Sequence, residues 1–156
     1  MKMIGNKNKI AYEILSTNNG LIEMNVYFAN HCLTVNDCFH YYAMVVNSIQ
    51  KEIDDFNNES LFRLKENYQG ETVENLFDVM TEQKMPIYQY IDNKLDFFSY
   101  DLSTKNADIA VIKQDNDLLF FGKIDDNAEF LTVQITVDEY VALLNELLKY
   151  IANYTE

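Results

Sequence analysis

Apolar and polar residues alternate through residues 21–28. Ile22, Met24, Val26 and Phe28 fall on one side, Glu23 and Asn25 on the other. A period of two predicts a half-buried strand. Residues 9–15 read as its partner strand, and Asn18-Asn19-Gly20 between them supplies residues that tolerate positive φ, so the pair predicts a hairpin. The period then changes. Val35, Cys38, Tyr42, Val45, Ile49, Ile53 and Phe56 recur every three or four residues, which predicts an amphipathic helix. Its expected start is Thr34-Val35-Asn36-Asp37, which resembles a capping box with Asp in place of Glu, and Asn57-Asn58 would stop it. On this helix Asp37, Tyr41, Ser48, Lys51, Glu52 and Asp55 lie off the apolar stripe.

Residues 60–68 fit neither period. Beyond Gly70, Thr72 can cap a short helix with the stripe Val73, Leu76, Phe77 and Met80, and Pro86 ends that region. Residues 87–100 are rich in Tyr and Phe and read as a weak hairpin or an ordered loop. Residues 108–113, 117–124 and 129–136 read as three strands. Their connections, at residues 114–116 and 125–128, are short, so the pairing should be antiparallel. The chain closes on a capping box, Thr136 to Glu139, and the apolar face Val137, Tyr140, Val141, Leu144, Leu147, Leu148 and Ile151. The predicted order is β-β-α-(α)-β-β-β-α. That is an α+β fold, with an antiparallel sheet of about five strands and two to three helices packed on one face.

The 156 residues are the length of one ordinary domain, and the single proline and four glycines form no linker. A single domain over 1–156 is therefore expected. The apolar fraction of 48% is enough for a core without staples. No secretory signal or membrane-length apolar run appears, and two cysteines do not make a disulfide framework, so the expected location is the reducing cytoplasm.

Charge narrows the function classes. Twenty-five Asp and Glu face twelve Lys and Arg, a formal charge of −13. Such a surface repels phosphate backbones and anionic membranes, so neither nucleic acid nor membrane is an expected partner. It suits a basic protein, and it also suits plain solubility.

One window gathers the metal-binding and nucleophilic residue types: His31, Cys32, Cys38 and His40. Zinc sites usually take ligands two to four residues apart on a tight turn, and the spacing here differs. On a helix Cys38 would lie in the core stripe and His40 roughly 200° around the axis, in solvent. A strand at 38–40 would instead bring the two to one face. A thiol nucleophile would need a His contact and an orienting third group, and nothing in the window marks one. Phosphate-binding loops, HExxH and GxSxG motifs are missing, and Arg63 is the lone arginine. These residues call for no cofactor, no metal and no catalytic role.

What remains is surface. Acids crowd residues 92–129: Asp92, Asp96, Asp101, Asp108, Asp115, Asp117, Asp125, Asp126 and Glu129 stand there against four lysines. Tyr88, Tyr90 and Tyr100 lie nearby. Tyrosines among carboxylates make a hot-spot mixture for a basic protein partner. The expected partner-binding residues are Tyr88, Tyr90, Asp92, Asp96, Asp101, Asp115, Asp117, Asp125 and Asp126.

The opening from Met3 to Ile14 resembles the start of the immunity-protein family numbered forty-two, from bacterial polymorphic-toxin and contact-dependent growth-inhibition systems. The closing half resembles it too: a strand at 107–113, a charged turn, Leu118-Leu119-Phe120-Phe121-Gly122, another strand and a final helix. The resemblance implies a cytoplasmic, non-enzymatic protein that blocks a cognate toxin domain. Many such toxins are nucleases with basic grooves, which an acidic inhibitor can occupy. A secretion chaperone or adaptor is the rival expectation. A zinc- or thiol-dependent protein using His31, Cys32, Cys38 and His40 is a more distant one.

Overall fold

A computed structural model of the chain describes residues 1–35, 37–59, 62–64, 69–81, 107–124 and 129–153. The α+β class holds. Among the described residues, strands β1 (Lys2–Gly5), β2 (Ile10–Asn18), β3 (Leu21–Phe28), β4 (His31–Cys32) and β5 (Phe39–Tyr41) form one antiparallel sheet. Strands β6 (Ala107–Gln114), β7 (Asp117–Ile124) and β8 (Phe130–Thr136) form a second, in the order β6-β7-β8. The helices are α1 (Tyr42–Asn57), α2 (Val73–Thr81) and α3 (Val137–Ala152). The strands read from the sequence are thus divided between two sheets, and β1, β4 and β5 join them. The expected hairpin or loop at 87–100 and the turn at 125–128 lie outside the described residues.

The β2–β3 hairpin closes on Asn18 paired with Leu21, and the two turn residues, Asn19 and Gly20, have φ of 51° and 80°. Two consecutive positive φ values give a turn whose twist matches that of the strands. A second hairpin closes on Phe28 and His31 through Ala29 and Asn30, with φ of 47° and 70°. Ala29 is an unfavourable residue for that region. Its N–H donates to Lys9 O at 2.8 Å, and the Asn30 N–H donates to Lys7 O at 2.6 Å, which holds the turn against the β1–β2 loop.

The expected helix start at Thr34 is corrected. Phe39–Tyr41 is a strand, with Leu21 opposite Tyr41, Ile22 opposite His40 and Glu23 opposite Phe39. The free edge of β3 offers backbone hydrogen bonds that a helix over these residues would forgo, and the Met24 N–H donates to Cys38 O at 2.7 Å. The Thr34 hydroxyl accepts the Val26 N–H, and the Asp37 carboxylate accepts the Phe39 N–H, so neither caps a helix. Val35 is 70% exposed, and His40, expected in solvent, is buried. From Tyr42 onward the periodicity holds: Val45, Ile49, Ile53 and Phe56 are buried. Glu52, assigned to the polar side, is buried with them.

One core joins the inner face of the first sheet (Ile4, Tyr12, Met24, Val26, Phe28), the buried sides of α1 and α3, and one face of the second sheet (Val111, Leu118, Phe120, Val133, Ile135). Leu76 and Phe77 of α2 pack on the opposite face of the second sheet, against Ala110, Ile112 and Phe121. The Thr72 hydroxyl accepts the Asn75 N–H at 3.2 Å, as expected of a cap. The α3 capping box forms in both directions: the Glu139 N–H donates to Thr136 Oγ1 and the Thr136 N–H to the Glu139 carboxylate. Gly122 lies where β7 passes β6, and a Cβ there would run into Asp108 O.

Candidate functional site

The alternation of β3 sends Glu23, Asn25 and Tyr27 to the face away from the core, and all three are half-buried. In register, Ser16, Glu23 and Phe39 form one row across that outer face, and Asn18, Leu21 and Tyr41 form the next. Two carboxylates organise its polar part. Glu13 accepts from Asn25 Nδ2 at 3.1 Å and from the Tyr27 hydroxyl at 2.9 Å, and it pairs with Lys7 Nζ at 3.6 Å. The Lys7 ammonium also sits 4.0 Å from the centre of the Tyr27 ring. The bonds from Asn25 and Tyr27, with Lys7 beside them, hold the Glu13 carboxyl below the usual range, so it is charged at neutral pH. Glu23 accepts from the Ser16 hydroxyl at 2.7 Å and from the Cys38 thiol at 3.9 Å.

The Cys/His window does not assemble as a reactive centre. The Cys38 thiol turns to Glu23, while the His40 ring enters the core and meets Met24 O at 2.9 Å. Cys32 approaches the Thr34 hydroxyl at 3.6 Å, and His31 is exposed. The strand that could have aligned Cys38 with His40 begins one residue too late, at Phe39. Burial, and then the Glu23 carboxylate, push the Cys38 thiol upward, so it stays protonated at neutral pH and is a poor nucleophile. Among the described residues, no group of three or more His, Cys, Asp or Glu is placed to hold a metal ion.

Of the expected partner-binding residues, Asp115 and Asp117 can be placed. Asp115 is exposed at the tip of the β6–β7 turn with φ of 53°. Asp117 is half-buried and accepts from Gln134 Nε2 at 2.9 Å. The turn docks on the start of α3, where the Val137 N–H donates to Asn116 O at 2.8 Å. Asp115 and Asp117 therefore stand beside Asp138 and Glu139, the acids of the first turn of α3. The positive end of the helix dipole offsets part of their repulsion. Tyr88, Tyr90, Asp92, Asp96, Asp101, Asp125 and Asp126 lie outside the described residues.

Sequence reading missed the exposed apolar group on the first sheet. Phe39 is 53% exposed, Tyr41 64%, Met44 48% and Leu21 36%. The signal was present, because Phe39-His40-Tyr41 alternates with a period of two, but a longer helical stripe overlapped it.

Two sheets that share one core with α1 and α3, with α2 on the far face of the second sheet, make up the fold. It is the fold of a solved immunity protein. A CdiI from Burkholderia dolosa AUO158, a contact-dependent growth inhibition immunity protein known from its crystal structure, superposes over 96% of this chain and 99% of its own, with a TM-score of 0.61. Sequence identity over that match is 12%, so what the two are shown to share is the fold. No family model matches the chain, so the family suggested by its two ends is not confirmed, and no curated protein matches it. Among the described residues, no helix is long and apolar enough to cross a membrane.

Proposed function

We propose that this chain is a non-enzymatic immunity protein that binds and neutralises a cognate bacterial toxin domain in the cytoplasm. The observation that carries the reading is the end-to-end likeness to the Burkholderia dolosa CdiI. The −13 charge supports the finer part, a basic toxin of nuclease type engaged through carboxylates. Such an inhibitor occupies a groove built for phosphates and excludes the nucleic acid. The protonated thiol of Cys38 and the buried ring of His40 support a binding protein over a thiol enzyme. Cys32 and Cys38 are both free, which suits a reducing compartment.

The test is protection. The toxin domain encoded beside this chain in its source genome is induced in a sensitive bacterium with and without the chain. Rescue of growth, with a stable complex of the two purified proteins, supports the reading. Full toxicity despite abundant folded chain, with no complex, refutes it. A complex formed only with an unfolded export substrate would point to the chaperone instead.

A further inference from the structure

A single exposed apolar side chain is ordinary, but a contiguous set is not. Leu21 and Tyr41 face each other across the outer side of the first sheet, Phe39 lies in the next row, and Met44 follows in the first turn of α1. The sheet itself forces this display. Ile22 and His40 are opposite one another and buried, so the residues on either side of them in both strands must point outward. The two aromatics stand on strand backbone paired to β3, which fixes them before any partner arrives.

The surroundings of the patch are acidic. Glu23 is the direct cross-strand neighbour of Phe39, and Asp37 accepts the Phe39 N–H at 3.0 Å. The rows Ser16-Glu23-Phe39 and Asn18-Leu21-Tyr41 contain no Lys or Arg. Aromatic rings flanked by carboxylates fit a surface that presents Lys or Arg beside an apolar side chain. The cation can then lie over a ring face while its charge meets Glu23 or Asp37. A second copy of this chain is a poor occupant, because it would bring a further −13 against the same acidic surroundings.

We propose that the outer face of β3 and β5, with Phe39 and Tyr41 as its anchors, is a docking surface for a folded, basic protein domain. This rests on reading the chain as an immunity protein, and its occupant is the toxin domain. The acidic corner at Asp115 and Asp117 then serves encounter, and the aromatic face holds the complex.

The probe is the purified toxin domain encoded beside the chain, inactivated by mutation, titrated into the full chain by calorimetry. Phe39→Ala with Tyr41→Ala is expected to weaken Kd by about 30-fold or more, and Phe39→Tyr with Tyr41→Phe by less than about 5-fold. Thermal melting checks that the variants fold. Independently of any variant, hydroxyl-radical footprinting of the wild-type complex should show Phe39 and Tyr41 protected from oxidation. If the wild type binds and protects cells while the double alanine variant binds within about 3-fold, with both residues still oxidised in the complex, the docking surface is wrong and the immunity reading stands. A wild type that neither binds the domain nor protects brings down both. A wild-type dimer that the double alanine variant converts to monomer assigns the face to a second copy and overturns the proposal.

Discussion

Replacing Glu52 by Gln removes a titrating group from the core but keeps an acceptor for its neighbour. The Glu52 side chain projects from α1 into the aromatic cluster of Phe56, Phe62, Phe120 and Tyr140, and Oε2 accepts the Tyr140 hydroxyl at 2.9 Å. Burial is the main reason its carboxyl is pushed up to about 8. The Tyr140 bond opposes the rise, while on the same helix Asp55 adds to it and Lys51 works against it. The unfolded chain releases that proton near the ordinary glutamate value of about 4.3. Between those limits the folded protein holds a proton that the unfolded chain has lost, so stability falls as pH rises. The contribution is complete below the unfolded value, drains by about 1.4 kcal/mol per pH unit, and is gone above the folded value. From pH 5 to pH 8 the loss is roughly 3 to 4 kcal/mol. Glu52→Gln is neutral throughout and does not lose it. Urea unfolding of both proteins at each pH unit from 5 to 8 isolates the effect, because every other carboxylate titrates in both. The curves should nearly coincide at pH 5, with the variant ahead at pH 8 by a midpoint of about 2 M, taking a slope near 2 kcal/mol per M. Parallel pH profiles would refute the reasoning and mean that Glu52 is ionised or solvated in the folded state.

Three further outcomes follow from single contacts. Lys113 reaches from β6 to the end of α1 and donates to Phe56 O at 3.0 Å and to Asn58 O at 3.4 Å, so Lys113→Met should cost about 1–3 kcal/mol in urea unfolding by leaving those carbonyls without their cationic donor. Ala29→Gly should raise stability by about 0.5–1 kcal/mol, because φ of 47° strains alanine but not glycine, and a lowered melting temperature would contradict this. If the proposed partner is a basic toxin domain, reversing charge with Asp115→Lys and Asp117→Lys should slow association with it by about tenfold at low salt, with the difference fading as salt rises. Unchanged on-rates at low salt would remove that corner from the encounter surface.

What the sequence disclosed depended on whether local pattern and tertiary pairing agreed. At the Asn19-Gly20 turn and the Thr136–Glu139 box, the residues that favour the local geometry are also those the fold needs, and both appear as read. The β1 strand was hidden because Lys2–Gly5 is short and half polar, and its strand character comes from pairing with β2 rather than from its own composition. Glu52 was hidden for a different reason. A carboxylate off the apolar stripe normally faces solvent, and only the arrival of α3 brings the Tyr140 hydroxyl within reach. The position of Asp115 at a turn was legible because turns favour Asp, whereas the outward display of Phe39 and Tyr41 was not.

The reason lies in residues 34–42, where two periods overlap. Val35, Cys38, Tyr42 and Val45 satisfy a helix, and Phe39-His40-Tyr41 satisfies a strand. The helical reading places His40 in solvent and makes Tyr41 one more polar-side residue. The strand reading buries His40 against Met24 O and turns Phe39 and Tyr41 outward together. Because side chains alternate along a strand, a one-residue slip of β5 would bury both aromatics and expose the imidazole. The hydrogen bond between His40 and Met24 O opposes that slip, so a core contact on one side of the sheet sets which residues are displayed on the other. His40→Ala should therefore loosen the outer face of β5 as well as the core, and, if that face is the proposed docking surface, calorimetry should show weaker binding of the toxin domain although His40 lies on the other side of the sheet.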